Sequence, residues 1–362
     1  MPIKNGFISL KEIDFSKKEF LTNSRFSLAP INTGFGNNGA PTGRLIRFHS
    51  DRSGKNIAIS YVGNVAIDSA FCTNESTLIL RQNEPGWNEL TSAISSNGSL
   101  PGIQISCRFF NIPANRKWRD NNSVGKVHLY RNFIASLSTH EIDLIFESFL
   151  KAAILASEYG FEVLQIHAAH GYFLSCLMNP MLNNRSDKYN IDNIGGVCDL
   201  LANIRKYCPD SILDIRVSCF EGLSRDPLNE WNIKIKQIKL LESYGYDIVS
   251  LSAGFYDLSK NLIYPGRRDG LNVYLQYCEE LAGQLRKALV SVSGNIRNLK
   301  DLEQKPSNIV FGIGRPLVAD PYFVEKSLAQ RENDIKHCVW SGLCHYYTRG
   351  YKHIFCKIND DI

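Results

Sequence analysis

Long apolar runs are missing from this 362-residue chain; none approaches the roughly 18 residues that a membrane-spanning helix needs, so no membrane partner is expected. The opening MPIKNGFISLKEIDF has no apolar stretch followed by small residues, which argues against a secretory leader and for a cytoplasmic location. Runs of Lys or Arg are also missing. The 41 basic and 36 acidic residues, net +5, are dispersed, which excludes a nucleic-acid arm and a polybasic anchor. Charged residues make up only 21% against 44% hydrophobic, so intrinsic disorder is excluded and a sizeable buried core is expected. No low-complexity tract or flexible linker divides the chain. The ten cysteines are scattered, unlike a small secreted disulfide framework, so reduced thiols are expected.

What is present is a repeated pattern. Short apolar, often β-branched segments occur at 26–31, 57–63, 102–107, 161–167, 212–218, 247–252, 289–293 and 308–313. Most are nearly continuous, as in strands of a parallel sheet covered on its outer face by helices. Between them lie helical patterns. In the clearest, Ser138 and Glu141 form a capping box, Ile142, Ile145, Phe146, Phe149 and Ala153 follow at helical spacing, and Gly160 stops the run. Helix-then-strand units recur at 195–218, 229–252 and 271–293, which predicts an α/β chain closing into a (β/α)8 TIM barrel over 1–330. The Asn-, Arg- and aromatic-rich stretch 108–137 is too long for an ordinary connection and reads either as a lid-like insertion or as a structural excursion. Residues 331–362 form a Cys-containing extension.

In such a barrel the chemistry belongs at the C-terminal ends of the strands. The residues there are Asn32, Thr33, Gly63, Asn64, Gln104, His167, His170, Tyr172, Arg216, Ser252, Gly294, Asn295, Gly314 and Arg315. Two imidazoles, His167 and His170, can polarise a carbonyl or phenolate oxygen, and Tyr172 adds a proton donor. An H-x-x-H pair also suits zinc, but no third ligand is nominated by the sequence. The glycine-bearing turns VSVSGNIRN and NIVFGIGRP follow the last two strands, where barrels of this kind recurrently hold phosphate, and Arg315 supplies a cation. Arg216 sits in an apolar run and needs an anion, either a ligand's or that of Asp214 or Asp247.

On these residues, and above all on EYGFEVLQIHAAHGYFLSCLMNPMLNNRSDKY, the chain resembles the Old Yellow Enzyme family of FMN-dependent ene-reductases from about residue 7 to 330. The His-His pair is similar to the dienoyl-CoA-reductase-like branch. The resemblance implies that His167 and His170 anchor the substrate's electron-withdrawing oxygen and that Tyr172 protonates the carbon α to it after hydride leaves flavin N5. It implies that Gln104 and Arg216 contact the isoalloxazine, that Pro30, Ile31 and Gly63 line its edge, and that Gly294, Gly314 and Arg315 grip the phosphate of FMN. Ser252 and Asn295 join the cofactor-binding set. The implied reductant is NAD(P)H, the partner a small molecule, and the assembly a homo-oligomer. An oxidative desaturase or a non-redox isomerase on the same barrel is the alternative activity.

Departures from the family pattern are Asn32, where Thr or Cys is usual; QISCRFF at 104–110 in place of QLxHxGR; and Asn190 and Ile191 in place of a double glycine. They imply a substrate unlike a common enone, from natural-product biosynthesis. Cys338, Cys344 and Cys356 look like the remnant of an iron–sulfur segment, and no metal is assigned to them.

Overall fold

Eight strands run parallel and close on themselves: β1 (Phe26–Ile31), β2 (Ile59–Ala66), β3 (Leu100–Ser106), β4 (Val163–Ala168), β5 (Ile212–Ser218), β6 (Ile248–Ser252), β7 (Leu289–Ser293) and β8 (Ile309–Ile313). Each pairs with its neighbour in sequence, and β1 pairs with both β2 and β8. The chain is therefore a (β/α)8 barrel. The computed structural model describes residues 24–108, 123–224, 226–269 and 274–362. All eight strands fall where apolar patterning places them, with ends shifted by a few residues. The largest shift is in β2, whose register slips between Val62 and Val65 against β3 and which runs on to Ala66.

The helices are α1 (Gly43–Arg52), α2 (Trp87–Ser96), α3 (Ser123–Ser136), α4 (Thr139–Glu158), α5 (Phe173–Leu177), α6 (Val197–Tyr207), α7 (Pro227–Glu242), α8 (Lys260–Ile263), α9 (Leu275–Ala282), α10 (Arg315–Ala319) and α11 (Phe323–Leu328). Helix α4 shows the local logic. Ser138 Oγ accepts from the Glu141 N–H and the Glu141 carboxylate accepts from the Ser138 N–H at 2.7 Å, a reciprocal cap contributing on the order of 1 kcal/mol. Ile142, Ile145, Phe149, Ala153 and Ala156 then bury one face, and Gly160 ends the helix at φ +86°.

Inside the barrel, side chains alternate along each strand and form layers. Ile59, Leu100, Val163, Ile212, Ile248 and Leu289 make an apolar floor. One step towards the C-terminal ends, Tyr61, Gln165, Asp214 and Ser250 make a buried polar layer. Gln104 of β3 stands opposite Gln165 in this register, and two residues further along β4, β5 and β6 come His167, Arg216 and Ser252.

Of the stretch 108–137, residues 109–122 lie outside the described residues, while most of the rest is α3. Tyr130 of α3 packs edge-on against Phe255 at 4.8 Å. The extension after 330 returns over the barrel mouth: Ile354 N–H donates to the Thr33 carbonyl at 2.9 Å, Asn359 Nδ2 to the Val318 carbonyl at 3.1 Å, and Tyr346 and Ile354 join the main core. None of the ten cysteines is in a disulfide. Among the described residues no helix is long and apolar enough to cross a membrane.

Candidate active site

A cavity of about 230 Å³ opens at the C-terminal end of the barrel. Pro30, Ile31 and Asn32 of the first strand end, Gly294 and Asn295 after β7, Gly314 and Arg315 after β8, and Tyr172 after β4 all line it. Eight expected site residues thus share one wall. His167, His170, Gln104, Arg216 and Ser252 are not among its lining residues; Arg216 lines a separate small void with Gln165 and Ser250, and Gly63 lines another with Asn32 and Asn64. A Cβ at Gly63 would come within 2.8 Å of Gln104 Cβ, so glycine lets β2 approach Gln104 closely.

The two histidines and the tyrosine form one cluster. The His167 ring stacks on Tyr172 at 4.3 Å and 20° and meets the His170 ring edge-on at 5.0 Å. Burial, reinforced by the Arg216 cation, holds both imidazoles well below their ordinary pKa, so both are neutral at pH 7. His167 Nδ1 accepts from the Ala169 N–H at 3.3 Å, which leaves the proton on Nε2. His170, in the left-handed region at φ +62°, is pinned by its N–H on Ser218 Oγ at 3.1 Å and by its carbonyl accepting from Tyr256 N–H at 2.9 Å. Its Nε2 lies 2.7 Å from Ser252 Oγ, which also receives Arg216 Nη2 at 3.4 Å. Arg216 can only donate, so the Ser252 hydroxyl accepts from it and can either donate to His170 Nε2, which puts that ring's proton on Nδ1, or accept from it. Burial raises the Tyr172 phenol well above its ordinary pKa, partly offset by Arg108, so it holds its proton at neutral pH.

Neither sequence-adjacent acid pairs with Arg216. Asp247 is bound to Arg205 at 2.5 Å, and Asp214 Oδ2 accepts from Tyr61 Oη at 2.8 Å, Ser250 Oγ at 2.9 Å and Gln165 Nε2 at 2.5 Å. Among the described residues Arg216 has no ion pair, and burial lowers its pKa. The guanidinium is positioned for an anion that the described residues do not supply.

Asp214 has a second effect. A carboxylate only accepts, so Gln165 must point its NH2 at Asp214 and its carbonyl at Gln104, whose Nε2 donates to Gln165 Oε1 at 2.5 Å. The carbonyl of Gln104 is then turned away from this chain of bonds, an acceptor suited to an imide N–H.

These features fit FMN. Gly314 has open space where a Cβ would stand, Arg315 also lines the cavity, and among the described residues no Asp or Glu lines it, which suits a phosphate. Arg216 suits the negative edge of a reduced isoalloxazine and Gln104 its pyrimidine edge. Two of the lining residues also bond within the protein. The Asn295 side chain is engaged within the protein, accepting from Trp340 Nε1 at 3.0 Å and Arg315 Nη2 at 3.3 Å while donating to the Gly266 and Asp269 carbonyls. Asn32 Oδ1 accepts from Tyr346 Oη at 2.8 Å and Gly34 N–H at 3.2 Å, and its Nδ2 faces Asn64 and Thr73.

The sequence reading missed Gln165 and Asp214 as a relay and, from the loops and the extension, Arg108, Tyr256, Tyr264, Trp340, His345 and Tyr346. Gln165 carried a signal: it stands two residues before His167 on one strand face. The loop residues carried none. Among the described residues no three His, Cys, Asp or Glu side chains gather to hold a metal ion, Cys338, Cys344 and Cys356 included.

The model of the NADH:flavin oxidoreductase / NADH oxidase family, which is FMN-dependent and uses NAD(P)H, matches residues 13–334. The chain is 26% identical over 338 residues to the NADH oxidase of Thermoanaerobacter brockii, covering 87% of this chain and 50% of that protein. It is 25% identical over 308 residues to the cinnamate reductase of Clostridium sporogenes, covering 75% and 44%. It therefore spans about half the length of these curated relatives. The crystal structure of Old Yellow Enzyme from Pichia sp. AKU4542 superposes with a TM-score of 0.65 at 14% identity, covering 86% of this chain and 84% of that one, a likeness of fold.

Proposed function

The chain belongs to the NADH:flavin oxidoreductase / NADH oxidase family, and on that premise we propose that it reduces an activated, enone-like C=C bond with hydride taken from NAD(P)H. The observation that carries this reading is the cluster of neutral His167, neutral His170 and protonated Tyr172, the last lining a cavity that is also lined by Gly294, Gly314 and Arg315. Bound FMN supplies the hydride chemistry. The chain's own residues do the rest. His167 Nε2–H and His170 Nδ1–H hold the oxygen conjugated to the double bond and stabilise the negative charge that develops there. Tyr172 gives its proton to the carbon α to that carbonyl. Arg216 compensates negative charge from beneath and, through Ser252, can keep His170 in the donating tautomer. Arg315 and the backbone at Gly294 and Gly314 hold the phosphate.

The experiment is anaerobic. Purified holoenzyme is mixed with NADPH or NADH and the 450-nm flavin band is followed; an enone is then added. Bleaching followed by recovery with the enone supports the reading. Bleaching with recovery only by oxygen moves the protein to the oxidase side of its family, and flavin that NAD(P)H does not bleach overturns the proposal.

A further inference from the structure

The turn that carries His170 and Tyr172 needs support from outside the cavity. His170 and Gly171 both stand in the left-handed region, at φ +62° and +77°, a conformation that a non-glycine residue keeps only where its surroundings enforce it. The enforcement is divided. His170 is held by Ser218 Oγ, which accepts its N–H at 3.1 Å, and by Ser252 Oγ, 2.7 Å from its ring. Gly171, and with it Tyr172 at the start of α5, is held by a carboxylate that does not line the cavity.

Glu221 stands three residues beyond β5 and is 1% exposed. Its Oε1 accepts from Ser175 Oγ and its Oε2 from Asn179 Nδ2, while Asn179 Oδ1 accepts from the Met181 N–H at 2.8 Å and so fixes which way that amide points. With its hydrogen committed to Glu221, Ser175 Oγ keeps a lone pair for the Gly171 N–H, which it accepts at 3.2 Å. The main chain of Glu221 holds the other side of the same turn. Its carbonyl accepts from Ser259 Oγ at 2.6 Å, and Ser259 Oγ accepts from the Phe255 N–H at 2.7 Å. Phe255 is the surface that Gly171 lies against: a Cβ at Gly171 would come within 2.4 Å of its ring. One residue thus fixes Gly171 from two sides. Glu221 is secured in turn, because the Glu230 carboxylate accepts from the N–H groups of Glu221 and Ser224, both at 2.5 Å. Lys234 of α7 is buried, its Nζ has no hydrogen-bond partner among the described residues, and its charge favours the Glu221 carboxylate against the effect of burial.

We propose that Glu221 is the positioning residue for Tyr172: through Ser175 and Ser259 it fixes the turn that aims the phenol at the carbon it protonates. The inference rests on the ene-reductase reading of the site. A proton donor works only within hydrogen-bond reach of its target, and a displacement of about 1 Å can cost on the order of 100-fold in rate, so a carboxylate remote from the ligand can govern the proton-transfer step.

The test uses purified holoenzyme and two variants. Ser175→Ala breaks the link with both charges in place, and Glu221→Met combined with Lys234→Met replaces the buried charges by apolar side chains of similar size. Both half-reactions are followed by stopped flow, with NAD(P)H and then cyclohexenone, and the Kd of phenol is read from the change in flavin absorption. Each variant should slow reduction of cyclohexenone about tenfold or more and raise its solvent deuterium isotope effect. Flavin bleaching and the phenol Kd should stay within about twofold, because His167 and His170 have their own supports. In a Tyr172→Phe background neither change should slow the enone step by more than about twofold. An enone step at the wild-type rate in either variant, equal losses in both half-reactions, an unchanged isotope effect, or a full additive loss in the Tyr172→Phe background overturns the proposal. Failure of the underlying reading looks different: the wild-type flavin does not bleach, or once bleached does not recover with cyclohexenone, and the positioning proposal falls with it.

Discussion

Below the cavity the polar side chains stand on strands; around its rim they stand on loops and on the returning C-terminal segment. Gln104, Gln165 and Asp214 are matched across β3, β4 and β5 by sheet register, Gln104 opposite Gln165 and Gln165 opposite Asp214, and their hydrogen bonds leave each group one orientation. Arg108, Asp257, Tyr256, Trp340 and Tyr346 come together only because three segments distant in sequence meet over the barrel mouth. The lower part is a fixed platform for a ring and its charge. The upper part stands on loops, whose sequence can change without disturbing the sheet.

The comparison is broken most decisively at the cluster that joins the two regions. Tyr172→Phe should lower reduction of the C=C bond by about 10²–10⁴-fold while flavin bleaching by NAD(P)H proceeds at the wild-type rate, the two half-reactions being read separately by stopped flow. Equal losses in both would show a structural role for the hydroxyl. Next in size is His167→Ala, which should raise the Kd of a phenol ligand by about 10–100-fold through loss of a hydrogen bond to a charged oxygen; unchanged affinity would remove His167 from the oxygen site.

The platform itself is tested at Asp214. Asn at this position can offer NH2 to Gln165 and reverse both amides, so Asp214→Asn should weaken FMN binding by about tenfold, a loss on the order of 1.4 kcal/mol, read from flavin fluorescence on titration. Burial raises the Asp214 carboxyl from 3.8 to about 6. The sign follows: the carboxylate is disfavoured in the folded state, so its contribution to stability is greatest below the unfolded value near 4 and falls as pH rises to about 6. Its protonation should shift the bound flavin spectrum with a midpoint near 6, a transition absent from Asp214→Asn. The smallest effect belongs to the rim. Tyr346→Phe removes a hydroxyl bonded to Asn32 at 2.8 Å and to Asn74 and Ser76 at 3.2 Å; it should cost about 1 kcal/mol of stability and leave the bleaching rate within twofold. A larger kinetic loss would make Asn32 and its network part of the platform.

Legibility followed the same division. The strands could be placed because each is a short apolar run, and His167, His170, Tyr172, Gln104, Arg216 and Arg315 could be named because they end those runs. Asp214 was an alternative partner for Arg216, since residues two apart on a strand share a face. Three neutral donors claim its Oδ2 instead, and the other oxygen is buried without a partner. Asn295 and Asn32 were correctly placed at the cavity, but their amides bond to Trp340 and Tyr346 of the extension, contacts that no local pattern announces.

Periodicity and strand-end chemistry in the sequence alone determined the barrel, its eight strands and the polar side chains that end them, because burial on a strand is a local, alternating property. Only the tertiary structure decided which way the buried amides point, which nitrogen of His167 carries the proton, and that Arg108 stands beside Tyr172. Hydrogen-bond direction and charge balance depend on every neighbour that folding brings within a few ångströms, and most of those neighbours lie far away along the chain.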